Sequence, residues 1–192
     1  MTHNFLSKIN NTWTLFLDRD GVINKRIFGG YVTSPSEFEF ISGVLESIKY
    51  FSSIFYKIII VTNQQGVAKG IMTEDELITL NEFMVNEITK VGGKTDAVYY
   101  CTDLATAPDN CRKPSINMAK KAVENFPKID LQKSIMVGDS QSDIEFGKNA
   151  GMKTIFVTNK DSDFIPTSLS DMNIDSLHEL KIKIQSFNHS LI

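Results

Sequence analysis

Two aspartates one residue apart, Asp18-Arg19-Asp20-Gly21, follow directly on the apolar run Thr14-Leu15-Phe16-Leu17. Side chains alternate along an extended chain, so Asp18 and Asp20 can share a face while Arg19 turns away. Carboxylates this close repel each other unless a cation lies between them. Magnesium takes oxygen ligands and keeps several waters, so a few carboxylates plus a phosphate suit it. Alone the pattern is a weak signal, because a solvated acidic turn after a strand looks the same.

Three further clusters share that setting. Thr62-Asn63-Gln64-Gln65-Gly66 follows an apolar stretch and offers a hydroxyl and backbone N–H groups to an anion. In Cys111-Arg112-Lys113-Pro114 the lysine precedes a proline expected to open a helix, where ammonium and helix N-terminus would both favour a phosphate. Gly138-Asp139-Ser140-Gln141-Ser142-Asp143 begins with a glycine expected to permit a sharp turn. Asp139 could complete a metal site from a neighbouring strand, and Asp143 could brace Lys113, sit near the metal or act as a helix cap. A polar loop, a surface Lys-Arg pair and a capped helix are the bland readings of these three. Their ordered recurrence is the specific signal.

The elements that must position them alternate in type. Strands are expected over residues 14–17, 57–61, 96–100, 134–137 and 153–157. Helices are expected over 44–53, from a Thr73 cap with Glu76 in a capping box to about 91, and from Pro114 or Ser115 to 125. Two more run from a Ser142 cap to 149 and over 175–184, with the tail from Gln185 frayed and 35–43 a loop. Such alternation predicts an α/β fold, a Rossmann-like parallel sheet with helices on both faces. Ligands of these sheets bind beyond the carboxyl ends of the strands. All four polar clusters lie at such ends.

The chain has 192 residues, which fits a single domain over 1–192, with its core at about 13–160 and a C-terminal helix at about 175–185. Hydrophobic residues make up 42% and charged residues 22%, an ordinary globular balance. The net charge of −3 and the lack of a basic stripe argue against a nucleic-acid partner. No stretch has the length or character of a signal peptide or a membrane span, so a cytoplasmic protein without a membrane partner is expected. A monomer is expected because no apolar heptad repeat is present. Cys101 and Cys111 are too few for a disulfide framework and are expected to be reduced. His3, His178 and His189 lie outside every motif and are expected to be surface or terminal residues.

The order of these motifs resembles that of the haloacid dehalogenase-like (HAD-like) phosphatases. The narrower pattern Asp18-Arg19-Asp20-Gly21-Val22-Ile23-Asn24, Gly30-Tyr31-Val32, Phe38-Glu39-Phe40, Thr62-Asn63-Gln64 and Cys111-Arg112-Lys113-Pro114 is similar to the branch acting on heptose bisphosphate and histidinol phosphate. The resemblance spans about residues 15–157 and implies a HAD-like core without a large cap domain. It implies Asp18 as nucleophile, Asp20 as general acid and then base, and Thr62 and Lys113 as holders of the transferring phosphoryl group. Magnesium would be bound by Asp18, Asp139 and the backbone carbonyl of Asp20, with Asp143 in support. Substrate contacts would come from Asn24, Tyr31, Asn63, Gln64 and Arg112. The expected reaction is removal of the 7-phosphate of D-glycero-D-manno-heptose 1,7-bisphosphate, a small phosphorylated sugar, in nucleotide-heptose synthesis. Histidinol phosphate is the alternative substrate, and a catalytically silent binding protein on the same scaffold is the alternative of another class.

The sequence departs from that branch in two places. Where many members carry a zinc loop of the form C-x-H followed by C-x-C-R-K-P, this chain has Asp103 for the histidine and Asp109 for a cysteine, so zinc is not expected. The spacer 25–29 is about two residues longer than usual by motif comparison. Its Arg26 could meet a second phosphate or lie in solvent, and solvent is the favoured reading. Some members also carry lysine where Ser140 stands.

Overall fold

The computed structural model describes residues 5–158 and 169–189. Six strands form one parallel sheet in the order β3-β2-β1-β4-β5-β6. They are β1 (Thr14–Leu17), β2 (Lys57–Asn63), β3 (Ala97–Cys101), β4 (Ser134–Gly138), β5 (Lys153–Val157) and β6 (Met172–Ile174). The helices are α1 (Val44–Ile54), α2 (Glu74–Lys90), α3 (Asn117–Asn125), α4 (Gln141–Asn149) and α5 (Leu177–His189). No large cap interrupts this core among the described residues.

Strand alternation splits the interior into two cores. Leu15, Leu17, Ile58, Ile60, Ile135 and Val137 face one side and pack with α1, α2 and α5 through Ile48, Phe51, Leu80, Met84 and Leu180. Their neighbours Phe16, Ile59, Val61 and Met136 face the other and pack with Met118, Ala119 and Ala122 of α3 and Phe146 of α4. Both faces of the central strands are thus apolar, as a covered parallel sheet requires.

Helix α2 starts as its sequence prescribes. Thr73 accepts from the Glu76 N–H at 3.2 Å, and Glu76 accepts from the Thr73 N–H at 2.7 Å. Three expectations need correction. Helix α3 begins at Asn117 rather than at Pro114 or Ser115, because residues 113–116 are held in a turn: Ser115 N–H donates to the Arg112 carbonyl at 2.7 Å, and Lys113 N–H donates to Asn63 Oδ1 at 2.9 Å. The cap of α4 is Ser140, not Ser142; Asp143 Oδ2 accepts from Ser140 N–H at 3.0 Å and from its hydroxyl at 2.6 Å. Helix α5 runs on to His189 across the segment expected to fray. It seals one core with Leu177, Leu180 and Ile184, after a strand, β6, that the sequence reading did not include.

Of the histidines, His3 and the side chain of His189 lie outside the described residues. His178 is half-buried rather than on the surface: it packs against Gly43, and its Nδ1 is buried without a hydrogen-bond partner. No helix among the described residues is long and apolar enough to cross a membrane.

Candidate active site

Strand β1 lies between β2 and β4, so the chain leaves its two sides in opposite directions and a crevice opens at the carboxyl ends. Asp18 sits one residue past β1, and its N–H still donates to the Val137 carbonyl at 2.9 Å. Beside it lies a cavity of about 390 Å³ lined by Asp18, Asp20, Thr62, Lys113, Asp139 and Asp143, and also by Tyr31, Asn63 and Arg112.

At the cavity floor one ammonium serves two acids. Lys113 Nζ lies 2.6 Å from Asp18 Oδ1 and 2.6 Å from Asp143 Oδ1, and it donates to the Val61 carbonyl at 2.8 Å. Two of its donors are spent on Asp18 and the Val61 carbonyl, and Asp143 faces it as an ion partner. Burial alone would push Lys113 down, but Asp143 and Asp18 outweigh it and hold the lysine above its usual range. Asp18, Asp139 and Asp143 bring oxygen ligand atoms within 4.8 Å of one another, all three residues buried. Burial, then the charges of Asp143 and Asp139, push Asp18 up to about 8 against the pull of Lys113. Lys113 answers Asp18 and Asp143, and the half-exposed Arg26 guanidinium reaches Asp139 only at 3.7 Å, so the three buried carboxylates remain one positive charge short. An all-oxygen cluster with that shortage fits a divalent cation such as magnesium.

Gly138 makes this packing possible, though not by turning. Its φ is not positive, and a Cβ there would stand 2.1 Å from Asp143 Cβ and 2.4 Å from Asp143 Cγ. Only glycine lets the first turn of α4 bring Asp143 against the end of β4.

Asp20 is fixed from three directions. Its Oδ2 accepts from Arg19 Nη2 at 2.9 Å and Gln64 Nε2 at 2.8 Å, and its Oδ1 accepts from Asn24 Nδ2 at 2.9 Å. Arg19 does leave the cavity face, but its fully buried guanidinium curls back to Asp20 and is held in turn by Asn81 Oδ1 at 3.1 Å. Asn24 and Gln64 therefore do not sit as substrate contacts. Both are buried, neither lines the cavity, and the amide nitrogen of each donates to Asp20. Gln64 also donates to Thr62 Oγ1 at 2.8 Å, which leaves the threonine hydroxyl proton to point elsewhere.

Asn63 lines the cavity, yet its amide brackets the lysine backbone: Oδ1 accepts from Lys113 N–H, and Nδ2 donates to the Lys113 carbonyl at 3.2 Å. Tyr31 packs over Gly66 and accepts a hydrogen bond from Lys69 at 3.2 Å. Burial lowers Arg112, whose Nη1 donates to the Asp103 carbonyl at 3.4 Å. Gln65 and Lys69, which the sequence gives no role, line the cavity too, as do Ser142, expected only as a helix cap, and Ser140.

The loop carrying Arg112 and Lys113 is closed by a disulfide between Cys101 and Cys111, with Cα atoms 5.6 Å apart, which corrects the expectation of two reduced thiols. Cys101 ends β3 and Cys111 returns beside it, because Asp103 accepts from the Cys111 N–H at 2.9 Å and folds the intervening loop back. With each sulfur bonded to the other, neither is a thiolate that could ligate zinc. Cys101, Asp103 and Cys111 would form a three-ligand cluster only after reduction.

The sheet order and the acidic strand ends define a HAD-like hydrolase, and a family model described as HAD-hydrolase-like matches residues 110–174. The chain is 40% identical over 156 residues to the D-glycero-alpha-D-manno-heptose-1,7-bisphosphate 7-phosphatase of Campylobacter jejuni, covering 80% of this chain and 88% of that protein. It is 33% identical over 174 residues to the D-glycero-beta-D-manno-heptose-1,7-bisphosphate 7-phosphatase of Haemophilus influenzae, covering 86% and 93%. A crystal structure of the D,D-heptose 1,7-bisphosphate phosphatase of B. bronchiseptica, complexed with magnesium and phosphate, superposes with a TM-score of 0.78 at 25% identity over 91% of this chain and 98% of that one. The chain belongs to the heptose-1,7-bisphosphate 7-phosphatase family of HAD-like enzymes.

Proposed function

We propose that this protein removes the 7-phosphate of D-glycero-D-manno-heptose 1,7-bisphosphate, with magnesium as cofactor and Asp18 as covalent nucleophile. The observation that supports the chemistry best is the buried Asp18 carboxylate, held by Lys113 at 2.6 Å on the floor of an acid-lined cavity. The names and coverage of the relatives support the substrate.

Asp18 attacks phosphorus as the bond to the sugar oxygen breaks, and a proton from Asp20 goes to that oxygen. Asp20 then takes a proton from water, whose oxygen attacks the aspartyl-phosphate, freeing Asp18 and inorganic phosphate. The locked orientation of Asp20 suits both transfers, since Arg19, Gln64 and Asn24 allow its oxygens little rotation. Thr62 offers its hydroxyl proton, and Lys113 its charge, to the equatorial oxygens. Asp18, Asp139 and the Asp20 carbonyl would hold the magnesium ion, which when bound supplies positive charge to the transferring phosphoryl group and leaves Lys113 to Asp143 and the substrate.

The test is magnesium-dependent phosphate release from both anomers of heptose 1,7-bisphosphate, histidinol phosphate and a 3′-phosphorylated oligonucleotide, with Asp18→Asn as control. Turnover of a heptose bisphosphate, abolished in the variant, is expected. Preference for histidinol phosphate or the oligonucleotide would overturn the substrate, and no release from any of them would overturn the enzyme reading.

A further inference from the structure

Resting on that reading, we infer that Arg26 is a specificity-determining residue that holds the second, non-transferred phosphate of the substrate. The loop that carries it is built to overhang the site. Lys25 N–H donates to the Glu39 carbonyl at 2.8 Å, and Asn24 bridges to Phe40, so the chain is pinned just before Arg26. Gly30 N–H then donates to the Ile27 carbonyl at 3.2 Å across a turn with Gly29 at φ 69°. Arg26 and Ile27 line the cavity, as do Lys69 and Arg112.

Arg26 is exposed, as the sequence reading favoured, but it does not point away into solvent. Its Nη1 stands 3.7 Å from Asp139 Oδ2, and its guanidinium lies 5.7 Å from the centre of the Phe28 ring. That approach to Asp139 is an ion pair too long for a hydrogen bond, and Arg26 makes no hydrogen bond among the described residues. Its donor fork is therefore unspent, in contrast to Lys113, which is hydrogen-bonded to Asp18 and the Val61 carbonyl and ion-paired with Asp143. A guanidinium fork matches two phosphate oxygens, where an ammonium offers only a point charge.

A cation bound at Asp139 would compete with Arg26 for that carboxylate. The guanidinium, half-exposed and on a loop, is free to swing outward along the cavity to another anion. Thr62 and Lys113 already serve the phosphoryl group on Asp18, so the anion left for Arg26, in the cavity it shares with Lys69 and Arg112, is the phosphate at the far end of the sugar. A monophosphate has none.

The experiment compares wild type, Arg26→Ala and Arg26→Lys on heptose 1,7-bisphosphate and on p-nitrophenyl phosphate, with magnesium saturating for each protein. For Arg26→Ala, KM for the bisphosphate is expected to rise about 10- to 100-fold, the scale of a lost charge-assisted contact, and at least tenfold more than KM for the monophosphate. Arg26→Lys should recover part of the loss. Equal losses on the two substrates, or an unaltered KM for the bisphosphate, would overturn the inference while the proposed function stands. Wild-type turnover of p-nitrophenyl phosphate without turnover of the bisphosphate would overturn both.

Discussion

Asp18 and Asp171 each meet a lysine nitrogen at 2.6 Å, yet their surroundings drive them in opposite directions. Asp18 is pushed up to about 8, foremost by burial and then by the Asp143 and Asp139 carboxylates beside it. Asp171 is also pushed up by burial, but Lys148, the Thr154 N–H and hydroxyl, and Lys153 outweigh it and hold it at about 2. The same pair of residue types thus makes a crowded site at the end of β1 and a saturated one beside β5. Crowding belongs where a cation and a phosphate are to be received, and saturation where the chain is only to be tied down.

The largest expected effect tests the crowded side. Asp18→Asn removes the proposed nucleophile and one of three converging carboxylates, so kcat should fall by at least about 10⁴-fold. The metal-free variant should melt no lower than the metal-free wild type, because repulsion is relieved as the Lys113 contact weakens. Millimolar magnesium should raise the melting temperature of the wild type more than that of the variant. A variant that melts far lower without metal would mean that the Lys113 pair outweighs the crowding.

Lys113→Met asks the converse. It strands Asp18 and Asp143 in a buried site, and about 3 kcal/mol of stability should go with it, measured by denaturant unfolding. Activity should fall at least about 100-fold. Loss of activity with unchanged stability would show that the two acids protonate at no cost, and the contrast with Asp171 would fail.

The strand ends were legible in the sequence because fully apolar runs followed by polar clusters are local signals. Asp18, Thr62, Lys113 and Asp139 could be read from those signals and come together in one cavity. The use of Asn24 and Gln64 was not legible. A motif says that an amide stands beside an acid, not that the fold turns it to Asp20 and away from substrate. Strand β6 is three residues long, too short for a periodic pattern, and is assigned only by pairing with β5. The disulfide depends on Asp103 folding its loop back, a tertiary contact. Arg26 stood outside every motif because its position is set by a turn over a cavity that the sequence does not display.

The loop disulfide gives a smaller effect between the two acid sites. Cys101 and Cys111 are 10 residues apart, so their link restricts a short loop of the unfolded chain and should contribute about 2–3 kcal/mol. Cys111→Ser should lower stability by up to that amount and raise KM, since Arg112 and Lys113 follow directly. Unchanged unfolding of the wild type in strong reductant would show that the Asp103 hydrogen bond alone holds the loop.

Asp171→Asn gives the smallest effect and is the cleanest test of the saturated side. Asp171 accepts from Lys148 at 2.6 Å, Lys153 at 3.2 Å, Thr154 N–H at 2.9 Å and the Thr154 hydroxyl at 3.0 Å, and both lysines are over 40% exposed. Its folded pKa of about 2 lies below the unfolded carboxylate value of about 3.9. The stabilisation is therefore complete above about pH 4 and is lost as pH falls through about 2. Discounted for solvent screening, it amounts to about 1–2 kcal/mol. The asparagine variant should lose that amount at pH 7, keep its phosphatase activity, and converge with the wild type as the pH approaches 2. Equal stability of the two proteins at pH 7 would show that screening cancels the four contacts. The acid beside β5 would then be indifferent to its surroundings, and only the one beside β1 would remain electrostatically tuned.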